Sequence, residues 1–188
     1  MANMEQAARR AAALDAQDPF AQLCLGYAYR TAGQQDKAIG TMQLAIELNP
    51  SYGLAYYSLG FTLALKGEAQ EAIANIDKAI RLSPHDPMIW MFLSGRAIAH
   101  VCAKRYEEAV EWAQRSLQRK PDWPIAHLVL AASYTQLSRL DDAHSALEAA
   151  LKLNPQFSLS GLRLVLSAPD RPLLERIIDL LRKAGLKE

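Results

Sequence analysis

The sequence predicts an all-α fold built from about four similar helix pairs. Four prolines, Pro50, Pro84, Pro121 and Pro155, follow one another at intervals of 34, 37 and 34 residues. The same intervals separate four alanines, Ala38, Ala72, Ala109 and Ala143, which we call the alanine ladder. Hydrophobic residues make up 51% of the chain and aromatic ones only 7%, so alanine and leucine, which favour helices, supply much of the apolar content. Because the prolines and the alanines recur independently at the same intervals, they indicate an internal repeat.

Each period contains two helices. In the first unit Leu25, Tyr29, Ala38 and Met42 recur at steps typical of one helix face, and Gly33 divides the unit. The pattern predicts helices over residues 3–14, 19–32, 36–48, 53–66, 70–82, 87–103, 106–119, 124–137, 141–153, 158–166 and 171–184. We expect proline in the first helical turn at Pro19, Pro87 and Pro124, where no N–H is needed. Acidic residues near the helix N-caps are Asp18, Asp36 and Asp86.

Composition excludes several classes of protein. A chain of 188 residues with a formal charge of +1 fits one folded soluble domain over residues 1–188, and it lacks the basic excess of a nucleic-acid-binding surface. No apolar stretch reaches the ~20 residues of a membrane helix, and the N-terminus lacks the apolar core of a secretory signal. We therefore expect a cytoplasmic protein in which Cys24 and Cys102 are free thiols.

No group of residues predicts catalysis or ligand chemistry. The four histidines, His85, His100, His127 and His144, are too far apart in sequence for metal-ligand spacing. There is no glycine-rich phosphate loop, and no local motif places a nucleophile beside a base. We expect no metal, no cofactor and no enzymatic activity.

The helix pairs resemble the tetratricopeptide repeat, a 34-residue helix–turn–helix unit. The second unit has Tyr56, Leu59-Gly60, Gly67, Ala72, Ala79 and Pro84 in the order of that family. The fourth unit has Ser138 in place of the turn glycine, and the third lacks this glycine and carries about three extra residues around 98–104. The resemblance implies an α-solenoid of about four units, 19–52, 53–86, 87–123 and 124–157, with an N-terminal half-repeat helix in 1–18 and capping helices in 158–188.

Small residues are expected where the two helices of each unit approach closely. These positions are Gly26, Gly60, Ser94 and Ala131 on the first helices, facing the alanine ladder on the second helices. A larger side chain there would force the helices apart, so these positions help to fix the register of each unit.

The resemblance also implies a concave groove, lined by the first helices, that binds extended peptides or partner helices. The lining residues by register are Leu23, Tyr27, Arg30, Tyr57, Phe61, Ala64, Met91, Phe92, Gly95, Leu128, Ala132 and Thr135. They are mostly apolar, and Arg30 is the only basic one. The basic clamp with which some family members hold an acidic C-terminal chaperone peptide is therefore missing, and we expect no such partner.

The last predicted helix is amphipathic. Leu173, Leu174, Ile177, Ile178 and Leu181 form one stripe, and Glu175, Arg176, Asp179 and Arg182 form the other face. We favour a capping role on the final repeat. Folding into the groove and docking on a partner are the alternatives.

Two further features bear on context. The helix in 3–14 looks like the second helix of an incomplete unit, which suggests a piece of a longer protein, and residues 181–188 are similar to the ends of bacterial proteins with a nucleotidyl cyclase or winged-helix domain before the repeats. The extra residues of the third unit could place Arg96, His100, Lys104 and Arg105 on a basic projection for an acidic partner, although we favour neutral variation in length.

The leading functional hypothesis is a non-catalytic protein–protein interaction scaffold that binds an apolar peptide or partner helix in the groove. One alternative is self-association into a homodimer. Another is a regulatory segment of a bacterial cyclase or transcription regulator.

Overall fold

A computed structural model of the chain describes residues 2–166 and 171–188. Eleven helices and no strand occur in these residues, which confirms the all-α prediction. Their bounds are α1 Ala2–Leu14, α2 Pro19–Thr31, α3 Gln35–Leu48, α4 Gly53–Lys66, α5 Ala69–Leu82, α6 Ile89–Cys102, α7 Tyr106–Arg119, α8 Pro124–Gln136, α9 Leu140–Leu153, α10 Leu159–Leu166 and α11 Arg171–Lys183. Every predicted helix is present with its ends within two residues. Met1 and residues 167–170, which the predicted domain includes, lie outside the described residues.

Consecutive helices pair and then stack into a solenoid. The pairs are α2 with α3, α4 with α5, α6 with α7, and α8 with α9, and each second helix also packs on the first helix of the next pair. Successive first helices pack on one another more closely than successive second helices do. The first helices therefore lie on the inner side of the curve. Helix α1 packs on α2, in the place that a preceding second helix would take.

The turn inside each pair needs one residue in the left-handed region. Gly33 and Gly67 have φ of 74° and 89°, as a residue without Cβ allows. Lys104 and Ser138 take the same conformation, with φ of 61° and 59°. The third and fourth units therefore keep the family's turn without its glycine.

Close helix approach occurs at the glycines of the first two units. A Cβ at Gly26 would lie 2.8 Å from Met42 Cγ, and a Cβ at Gly60 would lie 2.8 Å from the Ala72 backbone oxygen. Ala131, at the corresponding position of the fourth unit, is fully buried.

The register of the third unit differs from the prediction. In the other units the close-approach residue lies seven positions before the left-handed turn residue, and counting back from Lys104 gives Ala97 instead of Ser94. Ala97 is fully buried. Two of the three extra residues lie in the connector 83–88, which has six residues where the connectors 49–52 and 120–123 have four. The insertion therefore falls mainly before α6, and the expected position around 98–104 is wrong.

The helix starts explain this difference. Pro19 and Pro124 occupy the first turns of α2 and α8 as predicted, and the Asp18 carboxylate accepts bonds from the backbone N–H groups of Phe20 and Ala21. Pro87 lies outside α6. The Asp86 carboxylate accepts a bond from Met88 N at 2.7 Å, and the Asp86 carbonyl accepts one from Ile89 N. These bonds form an extra turn, so α6 begins two residues later than predicted.

The C-terminal helices extend the core of the last two units. Leu159 of α10 and Ile178 and Leu181 of α11 are buried in one apolar cluster with residues of α8 and α9. Gly185 lies beside Leu147 of α9, and Leu186 is buried. In the part of the chain that the structure describes, every helix is too short or too polar to traverse a lipid bilayer.

Candidate functional site in the concave groove

Aromatic side chains form a continuous row along the first helices of units one to three. The ring of Tyr57 stacks on Phe61 with a centroid distance of 6.2 Å and on Phe92 at 5.0 Å. The Arg30 guanidinium lies 5.2 Å from the centroid of Phe61 and 5.7 Å from that of Tyr27. One cation therefore bridges the aromatic residues of the first two units. We call Tyr27, Arg30, Tyr57 and Phe61 the aromatic half of the groove.

Hydrogen bonds hold the side chains of the aromatic half in place, and burial shifts the pKa values of its titratable groups. The hydroxyls of Tyr27 and Ser58 are 2.6 Å apart, which joins α2 to α4, and Ser58 Oγ also lies 2.7 Å from the Leu54 carbonyl. Burial raises the pKa of Tyr27 and of Tyr57, and burial lowers the pKa of Arg30. The tyrosines stay neutral at physiological pH. The half therefore presents apolar ring surface with one partly desolvated positive charge.

The predicted groove residues are not equally accessible. Tyr27, Arg30, Tyr57, Phe61 and Met91 are partly exposed. Leu23 and Phe92 are 0% and 1% exposed, so they support the groove wall from below. Ala64 and Gly95 are also buried, and a Cβ at Gly95 would lie 2.5 Å from Tyr57 Cε2. Gly95 thus makes room for the Tyr57 ring.

The predicted residues of the fourth unit lie beneath the chain's own C-terminal helix. Leu128, Ala132 and Thr135 of α8 are buried, and α11 packs on α8. Ile177 and Leu181 of α11 line an apolar cavity of about 80 Å³. Its other walls are Leu65, Ile98, Val101, Ile125, Leu128, Val129, Ala132 and Leu162. The groove of units three and four is therefore occupied by α11, and we call this the covered half.

Arg176 anchors α11 across the third unit. Its guanidinium donates to the carbonyls of Val101 and Cys102 at 3.3 and 3.0 Å, and to the Tyr106 hydroxyl at 2.8 Å. The two carbonyls belong to the last turn of α6, where helix carbonyls lack an i+4 partner inside the helix. The Val101 carbonyl also accepts a bond from the Lys104 N–H at 3.1 Å. The sequence pattern grouped Arg176 with the polar face of this helix, and the structure places it partly buried in these contacts.

The basic projection considered for the third unit does not form as a cluster. The Arg96 guanidinium pairs with Asp77 at 2.5 Å and lies 3.8 Å from the Trp112 ring centroid. His100 is 5% exposed, and burial, reinforced by Arg96, lowers its pKa. Only Lys104 and Arg105 of the four are exposed.

Sequence reasoning missed Ile98 and Val101, which stand in the third unit where Phe61 and Ala64 stand in the second. The spacing of the alanine ladder could have given the correct register of the third unit. Each ladder alanine lies five residues after a left-handed turn residue, so Ala109 points to Lys104 and corrects the register. No sequence signal pointed to the contact of Arg176 with the end of α6.

Within the described residues, no three His, Cys, Asp or Glu side chains converge as a metal site would require. Cys24 and Cys102 form no disulfide. Burial raises the pKa of the Cys24 thiol, which disfavours the reactive thiolate.

Family profiles described as the tetratricopeptide repeat match residues 23–87, 66–124 and 125–157. No match was found among curated proteins. The fold is similar to PilW, a type IV pilus biogenesis factor, with a TM-score of 0.75 and 19% identity over 90% of this chain and 79% of that one. The fold is also similar to PilF of Pseudomonas aeruginosa, with a TM-score of 0.72 and 19% identity over 96% of this chain and 84% of that one.

YrrB, a tetratricopeptide protein with an unusual peptide-binding site, gives a TM-score of 0.61 and 18% identity over 96% and 91% of the two chains. These identities establish similarity of fold. The resemblance of residues 181–188 to cyclase or winged-helix proteins is not borne out by the comparisons.

Proposed function

The chain belongs to the tetratricopeptide repeat family, and from this premise we propose that it is a non-catalytic scaffold that binds an apolar peptide or amphipathic helix of a partner protein in its concave groove. Proteins of this family generally mediate protein–protein interaction. The proposed binding surface is the aromatic half, formed by Tyr27, Arg30, Tyr57 and Phe61.

The observation that carries the proposal is the position of α11. This amphipathic helix packs on α8, the first helix of unit four, and its Ile177 and Leu181 line one apolar cavity with Ile98, Leu128 and Ala132. Its Arg176 reaches the end of α6 in unit three. The surface of the first helices is therefore suited in shape and polarity to an apolar helix face. The aromatic half continues this surface over units one and two, and α11 makes no extensive contact with it.

The chemistry of the aromatic half favours an apolar partner. Arg30 is the one cation in this half, and its charge is partly buried between two rings. A single desolvated guanidinium offers much less to an acidic C-terminus than a basic clamp would. Apolar ring surface supplies most of the contact area, as in other binding sites anchored by aromatic side chains.

Site-specific photo-cross-linking tests the proposal. We would replace Phe61 with p-benzoylphenylalanine and use the same replacement at Phe20 as the matched control. Phe20 is also a first-helix phenylalanine, but it is 61% exposed in the first turn of α2 and lies outside the aromatic half. Irradiation in the native cell should give a product with a second protein from position 61 and not from position 20. Adding Arg30→Glu should remove it.

The product also distinguishes the alternatives. A product that contains only two copies of this chain would support self-association into a homodimer instead. The proposal fails if position 61 gives no product, or if positions 61 and 20 give the same products.

A further inference from the structure

A second cleft lies on the side of the second helices, between α5 and α7. It has a volume of about 380 Å³ and is lined by Ile80, Pro84, Ile89, Leu93, Trp112, Arg115, Gln118 and Arg119. It lies next to the six-residue connector 83–88, which is two residues longer than the connectors before α4 and α8. The longer connector separates the end of α5 from the start of α6, and this unit alone interrupts the regular spacing of the repeats.

Trp112 gives this cleft an aromatic wall that the other units lack. It lies eight residues after the turn residue, where the other three units have Thr41, Asn75 and Ala146. The guanidinium groups of Arg96 and Arg115 lie 3.8 and 4.4 Å from the centroids of the indole. Two cations therefore hold the indole in place beside the cleft.

The charges of the cleft are positive. Arg115 and Arg119 line one wall, and no carboxylate is among the lining residues. Arg115 pairs with Glu111 at 2.8 Å, whereas Arg119 is exposed and makes no ion pair with the residues that the structure describes. Gln118, which lies between these two arginines in the sequence, also lines the cleft with its side-chain amide. An apolar floor with guanidinium groups at its rim is complementary to an apolar side chain with a neighbouring carboxylate.

We propose that this cleft binds an extended acidic peptide segment of a partner protein, with one large apolar side chain seated against Ile80, Leu93 and Trp112. An adjacent carboxylate pairs with Arg119, whereas Arg115 stays paired with Glu111 and stacked on Trp112. The volume accommodates one large side chain with its flanking backbone, and is at the lower end of the range for ligand sites. The cleft lies on the second-helix side, so this proposal stands independently of the groove.

The probe is a fluorescein-labelled peptide with a central phenylalanine flanked by aspartate and glutamate, titrated with the full chain and followed by anisotropy. Arg119→Glu should raise the Kd by about tenfold, because it replaces an attraction with a repulsion. The matched control is Lys152→Glu, which makes the same charge change at an exposed basic residue in the last turn of α9. It should leave the Kd within about twofold, because surface charges far from the site are screened.

Four results would overturn the proposal, and the first three concern affinity and charge. They are absence of binding by the unchanged protein, equal effects of Arg119→Glu and Lys152→Glu, and equal binding of a peptide whose acidic residues are replaced by asparagine and glutamine. Thermal unfolding of both variants at the temperature of the unchanged protein shows that any loss of affinity comes from the cleft. Replacing the central phenylalanine of the peptide with serine should also abolish binding, and retained binding would exclude the apolar seat.

Discussion

At the residue scale, the spacing between paired helices depends on a few small side chains. Gly60 lies against Ile76 and the backbone of Ala72, where a backbone atom cannot move aside as a flexible side chain can. Gly40, in the middle of α3, has no neighbouring atom within 4 Å of an added Cβ. The two helical glycines thus differ in surroundings while sharing the same local structure.

This pair gives a direct prediction. Gly60→Ala should lower the free energy of unfolding by about 1–3 kcal/mol, because the added methyl group forces α4 and α5 apart. Gly40→Ala should raise it by about 0.5–1 kcal/mol, because alanine loses less backbone entropy in a helix. Urea unfolding followed by circular dichroism measures both. Equal effects would show that α4 and α5 do not approach at Gly60.

The residue scale also shows where composition misleads. Turn glycines identified the first two units, but Lys104 and Ser138 adopt the same left-handed conformation. The local energy cost of a side chain in this conformation is overcome by packing of the helices on either side. In the third unit the missing turn glycine and the misplaced extra residues together gave the wrong register, so Ile98 and Val101 were missed.

At the element scale, α11 combines two relations that the sequence analysis treated as alternatives. Its residues Ile178 and Leu181 are buried in the core cluster of the last units, and its Arg176 reaches the end of α6. The helix thus contacts the terminal repeat and also covers half of the groove. Its amphipathic pattern was predictable, but the surface that receives it depends on the curvature of the stacked first helices.

Arg176 should anchor α11 at its position against the end of α6. Arg176→Ala should lower the free energy of unfolding by about 1–2 kcal/mol, because two carbonyls and the Tyr106 hydroxyl lose a charged donor. Amide hydrogen exchange should become faster in α11. Arg182→Ala is the control, since its ion pairs with Asp179 and Glu188 are exposed, and its effect should stay below about 0.5 kcal/mol. An unchanged exchange rate in Arg176→Ala would contradict the anchoring role.

At the scale of the whole molecule, the core is distributed along the solenoid. One cluster joins units three and four with α10 and α11, a second joins units one and two and includes Ala99 of α6, and a small third one joins α1 to α2. Each unit is stabilised mainly by its neighbours, so stability should vary along the chain.

Hydrogen exchange with mass spectrometry on the full chain measures this variation. Helices α4, α6 and α8 should be the most protected, because each of them packs against four other helices. Helix α1 should exchange fastest among the helices of the array, since its described buried side chains are Ala8 and Ala12, which pack only with α2. Uniform protection from α1 to α8 would instead indicate a single cooperative unit.

The sequence by itself determined the helices, their pairing and the family, because these follow from local periodicity: apolar residues at helical steps, small residues at close approaches and a repeat of about 34 positions. It also predicted Tyr27, Arg30, Tyr57 and Phe61 as neighbours along the first helices, since the first two units keep the regular register, and these side chains contact one another. Only the tertiary structure decided that two of the three extra residues precede α6, that α11 covers the groove over units three and four, and that Trp112 and Arg119 border a cleft. Each of these depends on how neighbouring units stack, and stacking joins residues as distant as Val101 and Arg176 by contacts that no local pattern encodes.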